Sequence, residues 1–148
     1  MTSVRIQKHA SSLAETVIGS ISVACSNNSR STSDYIYIPE GKYLSRIHHQ
    51  CNVAAGATGN SATATSTIYF NDGTTYNVGT NNMSSACWFN SNPNGVDYRP
   101  ANSLSSAQIM NVEKVYCYVR VASYDDDTPG HGSCSITVYG MELPWQSE

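Results

Sequence analysis

The chain has 148 residues, of which only 13% are charged, and a formal net charge of −3 with eight basic residues. That charged share is about half the usual one, and no Lys or Arg run is present, which excludes the clustered cations that displace counterions from nucleic-acid phosphates. No apolar stretch approaches the roughly 20 residues that cross a bilayer as a helix. The missing charge is replaced by 22 Ser, 12 Thr and 13 Asn, so the surface is kept wet by hydroxyls and amides. Such a surface suits packing against a neighbour, because burying an amide costs less than burying an ion.

At the start, Met1 to Ile6 lacks the basic-then-apolar shape of a signal peptide, and the expectation is synthesis in a cytoplasm. Residues 1–12 read as an extended arm carrying Val4 and Ile6, and residues 13–148 as one β-domain. Only Ala10 to Thr16 could hold a brief helical turn. From Val17 the odd positions Val17, Gly19, Ile21, Val23 and Cys25 are apolar or small, while Ser20 and Ser22 are polar. This period of two predicts a strand with one face in a core.

Tyr35 to Ile38 is β-prone and is closed by the turn-forming Pro39-Glu40-Gly41-Lys42. Leu44 to Val53 follows as a strand carrying His48 and His49 on opposite faces, a geometry that prevents them from chelating one metal. Thr65 to Phe70 and Tyr76 to Val78 flank Asp72-Gly73, the strongest local hairpin signal in the chain. Ala54 to Ala64 and Asn90 to Ser106 read as long polar loops, Ala86 to Phe89 as a weak strand and Ile109 to Val112 as a short one. Val115, Cys117, Val119 and Val121 alternate with Tyr116, Tyr118 and Arg120; Cys134, Ile136 and Val138 alternate with Ser135, Thr137 and Tyr139. These last two runs are expected to pair as a hairpin across Tyr124 to Gly132.

The pattern predicts an all-β fold, an antiparallel β-sandwich or jelly roll of about eight strands, with a small closed barrel as the rival. The five cysteines, at 25, 51, 87, 117 and 134, form no C-x-x-C pair and are expected to be small buried hydrophobes kept reduced, with a disulfide or two as the alternative.

Chemistry is sparsely written. There is no Gly-x-Ser-x-Gly elbow, no phosphate loop and no cofactor motif, so the expectation is a chain without cofactor or catalysis. Asp125, Asp126 and Asp127 could offer oxygens to Ca²⁺, but they lack alternating ligand spacing and read more simply as a solvated hairpin tip. Ten Tyr stand against two Phe, and Tyr35, Tyr37, Tyr116, Tyr118 and Tyr139 fall on the polar phase of strands. Exposed tyrosines supply apolar area with a polar handle, suited to subunit interfaces or to sugar rings. Tyr116, Tyr118 and Tyr139 on the sheet, Val4 and Ile6 in the arm, and Trp145 in the tail are the interface candidates. Trp88 and Tyr98, with the polar loops, are the candidates for an alternative glycan site.

The short low-charge chain, its extended arm and its closing run Ser133-Cys134-Ser135-Ile136-Thr137-Val138-Tyr139-Gly140 resemble the small β-sandwich virion proteins of tailed bacteriophages. Those are capsid decoration (cement) proteins and tail or fibre domains. The resemblance implies a structural role in a virion, contacts with other capsid or tail proteins, and a homo-oligomer such as a trimer. It implies no specific residue roles. A carbohydrate-binding module or lectin-like receptor-binding domain is the alternative reading.

Overall fold

The computed structural model describes residues 14–25, 29–53, 61–80, 95–122 and 132–143. The arm, Ala86 to Phe89, Asp125 to Asp127, Trp145, and the cysteine at 87 lie outside the described residues. Eight strands are formed among those described: β1 (Thr16–Cys25), β2 (Arg30–Tyr37), β3 (Lys42–Val53), β4 (Ser61–Phe70), β5 (Thr75–Thr80), β6 (Val96–Tyr98), β7 (Val112–Ala122) and β8 (Gly132–Glu142). A 3₁₀ turn (Pro100–Asn102) and one short helix, α1 (Ser106–Met110), stand between β6 and β7.

The strands form two antiparallel four-stranded sheets, in the orders β1-β8-β3-β6 and β2-β7-β4-β5. Four of the pairings, β1 with β8, β2 with β7, β3 with β6 and β4 with β5, are those of one long hairpin folded about the β4–β5 turn. Rolling that hairpin adds β8 beside β3 and β7 beside β4, which is the double Greek key of a jelly roll. The expected sandwich is therefore what the chain forms. The expected β7–β8 hairpin is not: the two runs lie in opposite sheets, each paired with strands far away in sequence.

The core sits between the sheets, filled by the alternating phase. Ala62, Ala64, Ile68 and Phe70 of β4 and Val115, Cys117, Val119 and Val121 of β7 face Leu44, Ile47 and Cys51 of β3 and Cys134, Ile136 and Val138 of β8. Each fully buried Val or Ile contributes roughly 1.5–3 kcal/mol. The Asp72-Gly73 turn is formed as expected, with Gly73 at φ 89 and its N–H donating to the Phe70 carbonyl at 3.0 Å. Lys42 N–H donates to the Pro39 carbonyl at 3.2 Å, closing the Pro39–Lys42 turn around Gly41 at φ 87.

Several local expectations are corrected. A bulge between Val17 and Gly19 shifts the phase of β1, so Val17 is 57% exposed and Ile18 turns toward the core instead. Ile18 lies over Gly140, where any β-carbon would collide with it. Ile109 to Val112 is not a separate strand: Ile109 and Met110 end α1, and Val112 opens β7. Ser105 caps α1, accepting from Gln108 N–H while the Gln108 side chain accepts from Ser105 N–H. That reciprocal pair fixes the helix start, and buried Ile109 closes the core beneath it. Residues 61–64 are strand rather than loop, β6 interrupts the supposed Asn90–Ser106 loop, and Thr16 is strand rather than helical turn.

The cysteine expectation is also corrected. Cys51 and Cys134, directly opposite each other in the β3–β8 register, are joined as a disulfide, with Cα atoms 4.2 Å apart. Cys117 is free and buried, and burial, with nearby Asp34 adding to it, pushes its thiol up to about 12. A thiol held that far from ionisation is a packing group and not a nucleophile.

On edge strand β2 the inward phase is unusual. Ile36 is buried against the core, but Arg30, Thr32 and Asp34, on the same phase, are exposed.

Candidate contact surface

The side chains opposite to the core phase define the two outer faces. On the β2-β7-β4-β5 sheet, register places Tyr35 beside Tyr116 and Thr67, Tyr37 beside Lys114 and Tyr69, and Ser33 beside Tyr118 and Thr65. Cross-strand neighbours on one face of a sheet stand close enough to touch, and here they do. The Tyr35 ring lies 5.0 Å from the Tyr116 ring and 5.6 Å from the Tyr69 ring, the latter edge-on at 73°. Lys114 Nζ sits 4.6 Å from the Tyr35 ring centre, 5.3 Å from Tyr37 and 5.4 Å from Tyr69. Hydrogen bonding with the Tyr69 hydroxyl raises the Tyr35 phenol above its ordinary range, so it stays neutral. Tyr35 and Tyr37 are 41% and 58% exposed, large values for rings of this size.

The result is a rigid aromatic platform with one cation at its centre. It offers apolar area, phenolic donors and no ionised carboxylate among the residues just named. Tyr rings lose little rotamer entropy when covered, which is why such surfaces suit contacts.

The outer face of the β1-β8-β3-β6 sheet is different. A bulge between Leu44 and Arg46 lets Ser45 and Arg46 both reach Glu15, Ser45 Oγ donating at 2.7 Å and Arg46 Nε at 3.0 Å. Arg46 also donates to Asp97 at 2.8 Å and lies 3.8 Å over the Tyr139 ring. His48 Nδ1 lies 2.7 Å from the same Asp97 oxygen. Burial pushes the Asp97 carboxyl up, but the bonds from Arg46 and His48 outweigh it and leave it below the usual carboxylate range. Those charges are mutually satisfied, so this face is closed by its own ion pairs.

The two adjacent histidines point oppositely, as the strand period requires. His49 enters the core and shares a 3.0 Å hydrogen bond with Ser66 Oγ of the facing sheet. Burial, with His48 nearby, lowers its pKa from 6.5 to about 4. Among the described residues no group of three His, Cys, Asp or Glu side chains could hold a metal.

The structure thus brings Tyr116 and Tyr118 together and adds Tyr35, Tyr37 and Tyr69. It places Tyr139 on the opposite outer face, under Arg46. Tyr98 pairs with Ile47 on the inward phase, 6.3 Å from the Tyr76 ring, its hydroxyl bonded to Ser103 at 3.0 Å. Tyr69 and Lys114 escaped the sequence reading. Both stand on the polar phase of their strands, but only the β4–β7 register shows that they meet. Val4, Ile6, Trp88, Asp125, Asp126, Asp127 and Trp145 lie outside the described residues.

Strand order and outer faces together define the class: a jelly-roll sandwich with one face closed by ion pairs and one tyrosine-rich face. No family model matches the chain, and no curated protein matches it in sequence. Among solved structures it is similar to the infectious bursal disease virus Gt strain structure, at 13% identity and a TM-score of 0.36, covering 87% of this chain and 37% of that one. It is also similar to the Gx strain structure, at 12% identity and 0.35, covering 90% and 38%. The VP2 subviral particle of the same virus gives 12%, 0.35, 88% and 38%. The chain spans a little over a third of the length of those chains, and the superposition is partial.

Proposed function

We propose that the chain is a non-enzymatic structural protein of a virus particle that works by protein–protein contact through the outer face of the β2-β7-β4-β5 sheet. The observation that carries this reading is the cluster of Tyr35, Tyr37, Tyr69 and Tyr116 around Lys114. Aromatic area of this kind is concentrated where one subunit meets another. The jelly-roll order adds support by analogy, since the architecture recurs in viral capsid domains, although fold alone does not assign function. The surface rich in Ser, Thr and Asn belongs with the same reading.

Within it, our finer reading is a capsid decoration (cement) protein or a tail or fibre component, assembled as a homo-oligomer such as a trimer, and the resemblance of the sequence to tailed-bacteriophage proteins supports that reading. Tyr116 and Tyr118 are its central contacts, and Val4, Ile6, Tyr139 and Trp145 are further proposed ones. Sedimentation equilibrium of the full chain tests the assembly: an oligomer is expected, and the double variant Tyr35→Ser, Tyr116→Ser should sediment as a folded monomer. Immunogold labelling of purified particles tests the location. A wild-type monomer that labels no particle would overturn the proposal.

A further inference from the structure

Just past Tyr69 and Lys114 along their strands, the β4–β5 turn and the α1–β7 junction border an open cleft of about 480 Å³. It is lined by Phe70, Asn71, Asp72, Thr74, Ala107, Gln108 and Asn111. We propose that this cleft is a binding site for a neutral saccharide, held by the Asp72 carboxylate and the Asn71, Gln108 and Asn111 carboxamides.

The walls are fixed before any ligand arrives. Asn71 N–H donates to the Asn111 carbonyl at 2.7 Å, tying the turn to the helix end, and Phe70 N–H donates to the Thr74 carbonyl at 2.9 Å. Asp72 Oδ1 accepts from Thr74 N–H at 2.9 Å and from Thr74 Oγ at 2.6 Å. Asn111 Nδ2 donates to the Ala107 carbonyl at 2.9 Å, and Gln108 Oε1 accepts from Ser105 N–H at 2.8 Å. These bonds orient the Asp72, Gln108 and Asn111 side chains without exhausting them. Asp72 Oδ2, the Gln108 amide N–H groups and the whole Asn71 carboxamide make no bond to another described residue.

What remains in the cleft is a mixed set of donors and acceptors within a few residues of one another. Asp72 Oδ2, Asn71 Oδ1 and Asn111 Oδ1 accept; Asn71 Nδ2, Gln108 Nε2 and the second Asn111 N–H donate. Vicinal hydroxyls, each of which both donates and accepts, fit that set. Ala107 is exposed and adds a small apolar contact for a pyranose C–H group, while Phe70, buried in the core, forms the floor beneath the turn. The volume lies within the range of small-ligand sites.

Other ligand classes fit less well. No Lys, Arg or His lines the cleft, so a phosphate or carboxylate would meet Asp72 with nothing to balance it. One carboxylate is too few for a hard cation, which takes six or more oxygens. The amide-rich lining also disfavours a purely apolar ligand, which would strand those groups without water.

The test is an NMR titration of the ¹⁵N-labelled full chain with methyl glycosides of galactose, glucose, mannose and N-acetylglucosamine, and with N-acetylneuraminic acid as the anionic comparator. At least one neutral glycoside should give saturable shifts confined to the amides of Asn71 to Thr74 and Ala107 to Asn111. The expected Kd is on the order of 1 mM, that of a shallow site without a deep pocket. Asn71→Ala, which breaks no bond within the protein, should weaken binding about tenfold and leave the remaining spectrum unchanged. The proposal is overturned if no neutral glycoside saturates, if the shifts lie elsewhere, or if N-acetylneuraminic acid binds as tightly. None of these outcomes bears on the tyrosine face, which lies on different residues.

Discussion

The buried histidine makes stability strongly dependent on pH, in a window that can be worked out from its surroundings. His49 is fully buried between the sheets and its pKa falls from 6.5 to about 4. Between those two values the unfolded chain holds a proton on this residue that the folded chain does not. Stability therefore rises with pH across the window and is lost as pH falls through it. The full loss below pH 4 is about 3 kcal/mol, and about 2 kcal/mol is already lost at pH 5. Against the 5–15 kcal/mol that typically separates folded from unfolded domains, this is a large share. Asp97 and Asp72, whose carboxyls lie below the usual range, lose their contributions only at lower pH, so they do not blur the window. Urea unfolding of the wild type and of His49→Gln at pH values from 7 to 4.5 measures the effect. The wild type should lose stability steeply across that range while His49→Gln, which keeps a partner for Ser66, stays nearly flat. Equal slopes in the two proteins would refute the assignment of the window to His49.

Three further outcomes are expected. Gly95 sits at φ 77, and a β-carbon there would lie 2.6 Å from the His49 carbonyl oxygen, so Gly95→Ala should lower stability by roughly 1–3 kcal/mol, read as a fall in the urea midpoint. Peptide mapping without reductant should recover Cys51 linked to Cys134, and Cys117 should react with a thiol reagent only after unfolding; rapid native labelling of Cys117 would contradict its burial.

The strand character of the chain was legible because alternation is a local property. Val115 to Val121 and Cys134 to Val138 show their inward faces in the sequence itself, and those faces form the core. Strand partners are not local. A neighbouring pair of runs reads as a hairpin, yet in a rolled eight-strand fold the last two strands close opposite sheets. Bulges defeat the reading in another way: one extra residue at Ile18 reverses the face of Val17, and nothing in the Val17 to Cys25 alternation marks the place. β6 has three residues, too few to show any period. The short helix did carry a signal, since Ser105 and Gln108 stand at capping-box spacing. The tyrosine platform was half legible. Phase picked out Tyr35, Tyr37, Tyr116 and Tyr118 as outward, but only the β2–β7–β4 register gathers Tyr35, Tyr37 and Tyr69 around Lys114.

Edge strand β2 bears on how far self-association can run. A sheet border with free backbone groups invites another chain to extend it, and an oily inner stripe would make that growth cumulative. Here Arg30, Thr32 and Asp34 occupy the stripe, so a ribbon growing from this border would have to carry a carboxylate and a guanidinium into each new seam. Border-to-border growth from β2 into open-ended fibres is thereby disfavoured.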